Sequence, residues 1–160
     1  MKIINIYTDG AARGNPGPGG YGVILEYNGH VKELSDGFQL TTNNRMELLA
    51  VIVGLETIKL QGYKINVFSD SKYVVSAVNE NWVFEWEKNN YKKKKNKDLW
   101  IRFLHIYRKH TIKLTWIKGH SGHPQNEKCD KLAVNASNLP SLKKDIGYEN
   151  NLNSPKTLFD

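Results

Sequence analysis

Four carboxylates stand at positions from which a folded chain could bring them together: Asp9, Glu47, Asp70 and Asp130. Asp9 and Asp70 each end a short apolar segment of the kind that forms a buried strand, and the other two lie early in segments with helical periodicity. Carboxylates that cluster without matching cations suit Mg²⁺. Two such ions about 3.5–4 Å apart would activate a water and stabilise the departing oxygen of a phosphodiester. These residues therefore predict two-metal phosphodiester hydrolysis.

Each carboxylate also has an ordinary structural explanation. Asp70 could cap the helix that follows it, and Asp130 could lie on the solvated face of another helix. Glu47 could complete a capping box with Asn44. These explanations leave Glu47 inside an otherwise apolar helix, where an unpaired charge is costly. A metal site accounts for the four residues jointly, which the separate explanations do not.

Two histidines lie in the loop before the last predicted helix, His120 directly after Gly119 and His123 three residues further on. A histidine pair could suggest zinc, but the remaining ligands would be carboxylates, which suit Mg²⁺ or Mn²⁺ better. A loop histidine beside a metal site is well suited to proton transfer as a leaving group departs. We assign that role to His120.

The elements that must position these side chains follow an α/β pattern. Three antiparallel strands come first, with Asn28-Gly29 as the turn dipeptide, and strand–helix–strand units with a parallel crossover follow. If the first and fourth strands are parallel neighbours, Asp9 and Asp70 emerge side by side at one edge of the sheet. The predicted strands are residues 3–8, 21–27, 31–40, 64–68 and 112–117, and the main predicted helices are residues 45–59, 72–78 and 124–137.

Gly and Pro dominate residues 10–20, directly after Asp9. These residue types keep side chains out of the way and permit unusual backbone angles. We therefore expect a rigid, open loop that approaches a bulky ligand closely. A plain Asp-Gly turn between two strands is the alternative.

Length and composition set the class of protein. A chain of 160 residues is most simply one domain with a sizeable core. The single cysteine, Cys129, cannot form an internal disulfide, which favours a reducing compartment. No apolar run reaches membrane-spanning length, and the N-terminus leads into a strand rather than a signal peptide. We expect a cytoplasmic monomer that does not contact a membrane.

Positive charge is concentrated in one segment of the chain. The formal net charge is +7, and residues 81–110 carry nine basic and three acidic residues, a local net of nine minus three, or +6. Trp82 and Trp86 offer flat surfaces for sugars or bases beside those cations. A solvated, lysine-rich helix face is the alternative. We predict that residues 81–97 form a basic protrusion that binds a nucleic-acid backbone.

These features occur in motifs that resemble the bacterial type one family of ribonuclease H. The matching stretches follow the family's order and spacing as far as Tyr148: YTDG with GNPGPGGYG, TTNNRME, SDS, and WIKGH through NEKCDKLA. The resemblance implies a ribonuclease H-like α/β fold, a five-stranded mixed sheet of three antiparallel then two parallel strands flanked by helices. It also implies an endonuclease that hydrolyses the RNA strand of RNA–DNA hybrids with two Mg²⁺ ions, Mn²⁺ being possible, and leaves 3′-hydroxyl and 5′-phosphate ends.

The resemblance also assigns roles to individual residues. Its catalytic acids and metal ligands fall on Asp9, Glu47, Asp70 and Asp130, and its loop histidine falls on His120. The expected substrate-binding residues comprise an amide cluster, a phosphate pocket, the protrusion's tryptophans and one further residue: Asn15, Asn43 and Asn44; Thr42, Arg45 and Asn96; Trp82 and Trp86; and Lys72. Two positions depart from the family pattern, since Ala12 replaces a small polar residue or Cys, and Lys72 replaces an amide.

Two other functions remain open at this stage. A nucleic-acid-binding module that has lost catalysis predicts a missing acidic ligand, whereas all four are present. A relative of the integrase or resolvase kind would cut DNA with the same sheet, although the basic protrusion and the histidine loop favour the hydrolase.

The C-terminal residues fall outside the predicted catalytic domain. That domain spans residues 1–148, and we expect residues 149–160 to form a disordered polar tail. Two apolar residues within Thr157–Asp160 raise the alternative of a docking peptide for a replication protein.

Overall fold

A computed structural model describes residues 2–153 and builds them around one five-stranded sheet. The predicted α/β fold with a mixed sheet and flanking helices is confirmed. The strands are β1 (Lys2–Ala12), β2 (Gly17–Tyr27), β3 (His30–Thr41), β4 (Tyr63–Ser69) and β5 (Thr111–Trp116). The helices are α1 (Asn43–Thr57), α2 (Lys72–Asn79), α3 (Trp82–Lys88), α4 (Lys97–Tyr107), α5 (Pro124–Ser137) and α6 (Ile146–Asn153).

The strand order β3-β2-β1-β4-β5 places β1 at the centre of the sheet. β1 pairs antiparallel with β2 on one side and parallel with β4 on the other. Thr8 of β1 lies opposite Ser69 of β4, so the next residues along each strand direction are Asp9 and Asp70. The expected meeting of these two carboxylates therefore follows from the register of the parallel pair.

The glycine-rich segment after Asp9 is mostly strand, which corrects the prediction of an open loop. β1 continues to Ala12 because it pairs with the first part of β2. Here the glycines permit close helix packing: a Cβ at Gly10 would lie 2.4 Å from the main-chain nitrogen of Glu47, and one at Gly22 would lie 2.3 Å from the carbonyl oxygen of Cys129. Helices α1 and α5 can therefore approach the sheet at the level of Asp9.

Helix α1 is buried in nearly every direction, as its apolar residues predict. Most of the core lies on its side of the sheet, where Trp100 and Phe103 of α4 are fully buried. A smaller cluster of Tyr7, Ile24 and Cys129 lies beneath α5. The two clusters fix α1 and α5, the helices that carry Glu47 and Asp130.

The chain after α5 is ordered along β3, which corrects the expected tail. The main-chain nitrogen of Lys143 donates to the oxygen of Gly37 at 3.0 Å, and that of Gln39 donates to the oxygen of Lys143 at 2.7 Å. Helix α6 then runs to Asn153, so the proposed boundary at residue 148 falls inside a helix. Residues 154–160, which include the suggested docking segment Thr157–Asp160, lie outside the described residues.

The basic segment consists of α3 followed by turns that lead into α4. The side chains of Lys92–Lys95 are exposed there. Within residues 2–153, every helix is too short or too polar to cross a lipid bilayer.

Candidate active site

Three carboxylates from three different elements meet where the centre of the sheet faces α1. Asp9 comes from β1, Asp70 follows the end of β4, and Glu47 comes from α1. An oxygen from each lies within 4.8 Å of an oxygen from the others. Asp9 and Glu47 are buried, and Asp70 is half-buried. The sequence prediction is confirmed for the proximity of these three side chains.

Glu47 has no role in capping α1. Thr42 is the N-cap and accepts a hydrogen bond from the main-chain nitrogen of Arg45 at 3.2 Å, while Glu47 is the fifth residue of the helix. Its Oε1 atom is buried without a hydrogen-bond partner. Burial raises the pKa of Glu47, and the negative charges of Asp9 and Asp70 raise it further. An ionised Glu47 therefore requires a cation.

Asp9 is held by its own strand. The main-chain nitrogen of Gly10 donates to its Oδ1 at 2.9 Å. Burial is the main cause that raises the pKa of Asp9 from 3.8 to about 7, and the charges of Asp70 and Asp130 add to it. The hydrogen bond from Gly10 acts in the opposite direction. The local backbone thus favours the charged form that burial opposes.

Asp70 is also free of a capping role. Ser71 caps α2 and accepts from the main-chain nitrogen of Val74 at 3.3 Å. The loop after β5 passes directly over Asp70, since a Cβ at Gly119 would lie 2.6 Å from its Oδ2. A glycine at that position lets the loop close onto the carboxylate.

His120 follows Gly119 in this loop and is exposed, with a left-handed φ of 54°. His123 has a structural role, because its Nδ1 accepts from the main-chain nitrogen of Asn126 at the start of α5. The two histidines therefore do not form the metal-binding pair that we considered, and His120 is the one beside the carboxylates.

The cluster fits divalent cations. No ion pair within residues 2–153 involves Asp9, Glu47 or Asp70. The oxygen atoms are hard ligands, and Oε1 of Glu47 has no donor. Asp130 on α5 is half-buried and lies outside the group of three, although its charge is felt at Asp9.

The predicted amide cluster lies at the start of the helix that carries Glu47. The main-chain nitrogen of Asn43 donates to Oδ1 of Asn15 at 3.0 Å. This bond ties the turn between β1 and β2 to the first residue of α1. Asn15, Asn43 and Asn44 are exposed and can reach a ligand above the carboxylates.

Arg45, which we expected to contact phosphate, is buried and fully engaged by the protein. Nε and Nη2 donate to Asp145 at 2.8 and 2.9 Å, and Nη1 and Nη2 donate to Asp98 at 2.9 and 2.8 Å. Nη1 also donates to Oδ1 of Asn96 at 3.3 Å. These bonds use all five N–H groups of the guanidinium. Burial lowers the pKa of Arg45, but its bonds to Asp98 and Asp145 outweigh burial and raise it.

This geometry favours a correction to the role of Arg45, which supports Asn96 from behind instead of donating to a ligand. Asp98 and Asp145 were missed in the sequence because Asp145 lies in the segment interpreted as leading to a tail. Its only sequence signal was a position two residues before an apolar-started helix, which is weak.

A second missed residue is Trp116, the last residue of β5. Its Nε1 donates to the main-chain oxygen of Asp70 at 3.0 Å. The ammonium group of Lys72 lies 4.8 Å from the centroid of the same ring. Lys72 is thus held at the edge of the carboxylate cluster, and an aromatic residue that ends a strand before a histidine loop was the available signal.

The two tryptophans of α3 differ in exposure. Trp82 is 50% exposed. Trp86 packs edge-on against Trp100 with a centroid distance of 5.7 Å, and Lys94 lies 5.0 Å from its centroid. The protein already covers Trp86 on these sides, so Trp82 is the open aromatic surface and the expectation of an open Trp86 is corrected.

The motifs, the sheet order and the carboxylate cluster agree with comparisons to known proteins. The family model described as RNase H matches residues 1–138. The chain belongs to the ribonuclease H family. Ribonuclease H of Desulforamulus reducens is 53% identical to it over 151 residues, which are 91% of this chain and 94% of the relative.

Solved ribonuclease H structures share the architecture. LC9-RNase H1, described as a type 1 RNase H with the type 2 active-site motif, has a TM-score of 0.76 and 30% identity over 86% of this chain and 72% of its own. LC11-RNase H1 in complex with an RNA/DNA hybrid has a TM-score of 0.66 and 30% identity over 83% of this chain and 95% of its own. Membership of the type 1 ribonuclease H family and the enzyme class are confirmed.

Proposed function

We propose that this ribonuclease H is an endonuclease that hydrolyses the RNA strand of RNA–DNA hybrids with two divalent cations, leaving 3′-hydroxyl and 5′-phosphate ends. The observation that carries the proposal is the group formed by Asp9, Glu47 and Asp70, with a buried Glu47 oxygen that has no donor. The likeness to LC11-RNase H1, solved with an RNA/DNA hybrid, supports the choice of substrate.

The carboxylates hold the cations. Asp9, Glu47 and Asp70 supply oxygens within 4.8 Å of one another, and Asp130 is proposed as a further ligand from α5. Bound there, Mg²⁺ or Mn²⁺ supplies a water of lowered pKa and neutralises charge on the departing 3′ oxygen. The absence of a protein cation beside the three carboxylates leaves their charge available for this purpose.

His120 transfers a proton during departure of the 3′ oxygen. Its exposed position, one residue beyond the point where the loop meets Asp70, allows it to reach a substrate bound at the cluster. Water can take over this step, so we assign His120 an accelerating role rather than an essential one.

Selection of a hybrid requires groups that sense the 2′-hydroxyl. Asn15, Asn43 and Asn44 can both donate and accept, and the bond between Asn15 and Asn43 keeps them together. Lys72, Trp82 and the exposed lysines at 92–95 are proposed to contact the phosphate backbone and sugars, which raises affinity without specifying sequence.

The direct test compares cleavage of end-labelled RNA–DNA hybrid, duplex DNA and duplex RNA with Mg²⁺ and with Mn²⁺. We expect cleavage of the RNA strand of the hybrid alone, with products that carry a 5′-phosphate removable by phosphatase. Asp9→Asn should abolish cleavage while hybrid binding persists. Asp36→Asn, at a surface ion pair with Lys143, is the matched control and should cleave normally.

Two results would contradict the proposal. Cleavage of duplex DNA at a comparable rate would favour the integrase-like reading, and wild-type turnover by Asp9→Asn would exclude the metal assignment. The expectations of a monomer and of a cytoplasmic location remain predictions, to be checked by light scattering and by cell fractionation.

A further inference from the structure

Tyr73, the second residue of α2, has an unusual hydrogen-bond pattern. Its hydroxyl oxygen accepts from Nδ2 of Asn96 at 2.9 Å and from Nε1 of Trp100 at 2.9 Å. A tyrosine hydroxyl has two acceptor positions and one donor. Both acceptor positions are therefore occupied, and within residues 2–153 the hydroxyl hydrogen has no acceptor.

Asn96 is fixed from two sides by this arrangement. Its Oδ1 accepts from Nη1 of Arg45, so its Nδ2 must face Tyr73. One N–H of the amide is used there, and the second is left over. Asn96 also has a left-handed φ of 65° and makes no side-chain cap bond to α4, so its side chain is not needed by the helix.

The result is a pair of spare donors on adjacent atoms. The hydroxyl of Tyr73 and Nδ2 of Asn96 are 2.9 Å apart, and each has one hydrogen with no partner in the described residues. Two donors side by side match the two non-bridging oxygens of a phosphodiester. The guanidinium of Arg45 cannot compete for that ligand because its N–H groups are all engaged.

We propose that Tyr73 is a specificity-determining residue that orients the amide of Asn96 and forms with it a two-donor subsite for one phosphodiester of the bound hybrid. Positive charge for this subsite comes from Lys95 and Lys97, the exposed neighbours of Asn96 in the chain. Tyr73 lies three residues after Asp70, so the subsite sets a fixed spacing between one backbone phosphate and the carboxylates. The inference rests on the proposed function, since it presumes that the chain binds a hybrid.

The test is a scan of hybrid binding with a single neutral methylphosphonate at each linkage of either strand, measured by fluorescence anisotropy with Ca²⁺ in place of Mg²⁺. Wild type should lose about tenfold in affinity at one linkage, beyond the small loss that every linkage shows. Tyr73→Phe should bind the unmodified hybrid about tenfold more weakly and lose nothing further at that linkage. Tyr107→Phe, with a ring that packs on Phe84 and Phe103, is the matched control and should behave as wild type.

Asn96→Ala provides a second reading if Tyr73→Phe melts below the assay temperature. It should remove the same linkage-specific loss, and adding Tyr73→Phe to it should weaken binding little more. The inference is overturned if Tyr73→Phe binds as wild type, or if its linkage profile keeps the wild-type loss. Because binding is measured without turnover, failure of wild type to cleave the hybrid would contradict the proposed function and leave this scan readable.

Discussion

The indole N–H of Trp116 donates to the main-chain oxygen of Asp70 at 3.0 Å. One side chain at the end of β5 therefore fixes the residue at which β4 ends and the carboxylate turns toward the cluster. Because the same ring supports Lys72 at 4.8 Å, Trp116 connects a metal ligand to a substrate-facing cation. These two contacts can be separated by substitution.

We expect Trp116→Phe to lower kcat about fivefold with KM nearly unchanged, because a ring remains under Lys72 but the hydrogen bond to Asp70 is lost. Trp116→Leu should lower kcat similarly and also raise KM, since Lys72 loses its aromatic support. Lys72→Gln should raise KM alone. Steady-state kinetics on the hybrid distinguish these patterns, and an unchanged kcat in Trp116→Phe would show that the bond to Asp70 does not matter.

Removal of divalent cations should make stability fall as pH rises. The pKa of Asp9 is raised by burial from 3.8 to about 7, so between these values the folded chain keeps a proton that the unfolded chain has lost. Stability then decreases with pH across that range and levels off above it, and the raised pKa of Glu47 acts in the same direction. Thermal melting in EDTA from pH 4 to 8 measures the slope.

Two comparisons control the pH experiment. Asp9→Asn should flatten the dependence and melt higher than wild type at pH 8 in EDTA. Addition of Mg²⁺ at pH 8 should raise the melting temperature of wild type and leave Asp9→Asn almost unchanged. A wild type whose stability increases through this range would contradict the repulsion we infer within the cluster.

The ion pair between Arg45 and Asp145 should contribute far more to stability than a surface pair. Asp145→Ala leaves a buried guanidinium partly uncompensated and should destabilise the protein by about 3–5 kcal/mol. Asp36→Ala breaks the pair with Lys143, which is exposed, and should cost less than about 1 kcal/mol. Urea unfolding gives both values, and equal losses would refute the distinction.

Replacement of the four lysines at 92–95 by alanine should raise KM for the hybrid and leave kcat at saturation nearly unchanged. Each lost phosphate contact should reduce the slope of log affinity against log salt by up to about 0.9. Alanine at Lys32, Lys59, Lys113 and Lys131 removes the same charge elsewhere and serves as the control. If both variants have the wild-type slope, the lysines of the basic segment do not touch the substrate.

His120→Ala should retain partial activity, with a loss of about 10²–10⁴-fold in kcat. His123→Ala should instead lower stability modestly through the cap of α5, with kcat close to wild type. Full activity of His120→Ala would remove its proposed role in proton transfer.

The meeting of Asp9 and Asp70 could be predicted from the sequence because it depends on strand periodicity and on one parallel pairing. The buried position of Glu47 could be predicted for a similar reason, since apolar residues surround it on every face of α1. In both cases the pattern is local and the geometry of the element carries it to the site.

The partners of Arg45 and of Tyr73 could not be predicted in this way. Asp145 lies 100 residues from Arg45, and Asn96 lies 23 residues from Tyr73, so no periodicity connects them. The glycines at 10 and 22 were assigned to a loop for the same reason: their use, close contact with α1 and α5, depends on residues far along the chain.

The placement of the carboxylates along the chain has a consequence for synthesis. Glu47 and Asp130 are separated by 83 residues, which a ribosome adds in roughly 4–17 s at 5–20 residues per second. During that interval the first three strands and α1 have been made, but the parallel pairing of β1 with β4 and the arrival of α5 are still to come. A nascent chain therefore passes through its growth without a complete site, and its capacity to cut nucleic acid beside the ribosome begins only when almost all of the protein has been translated.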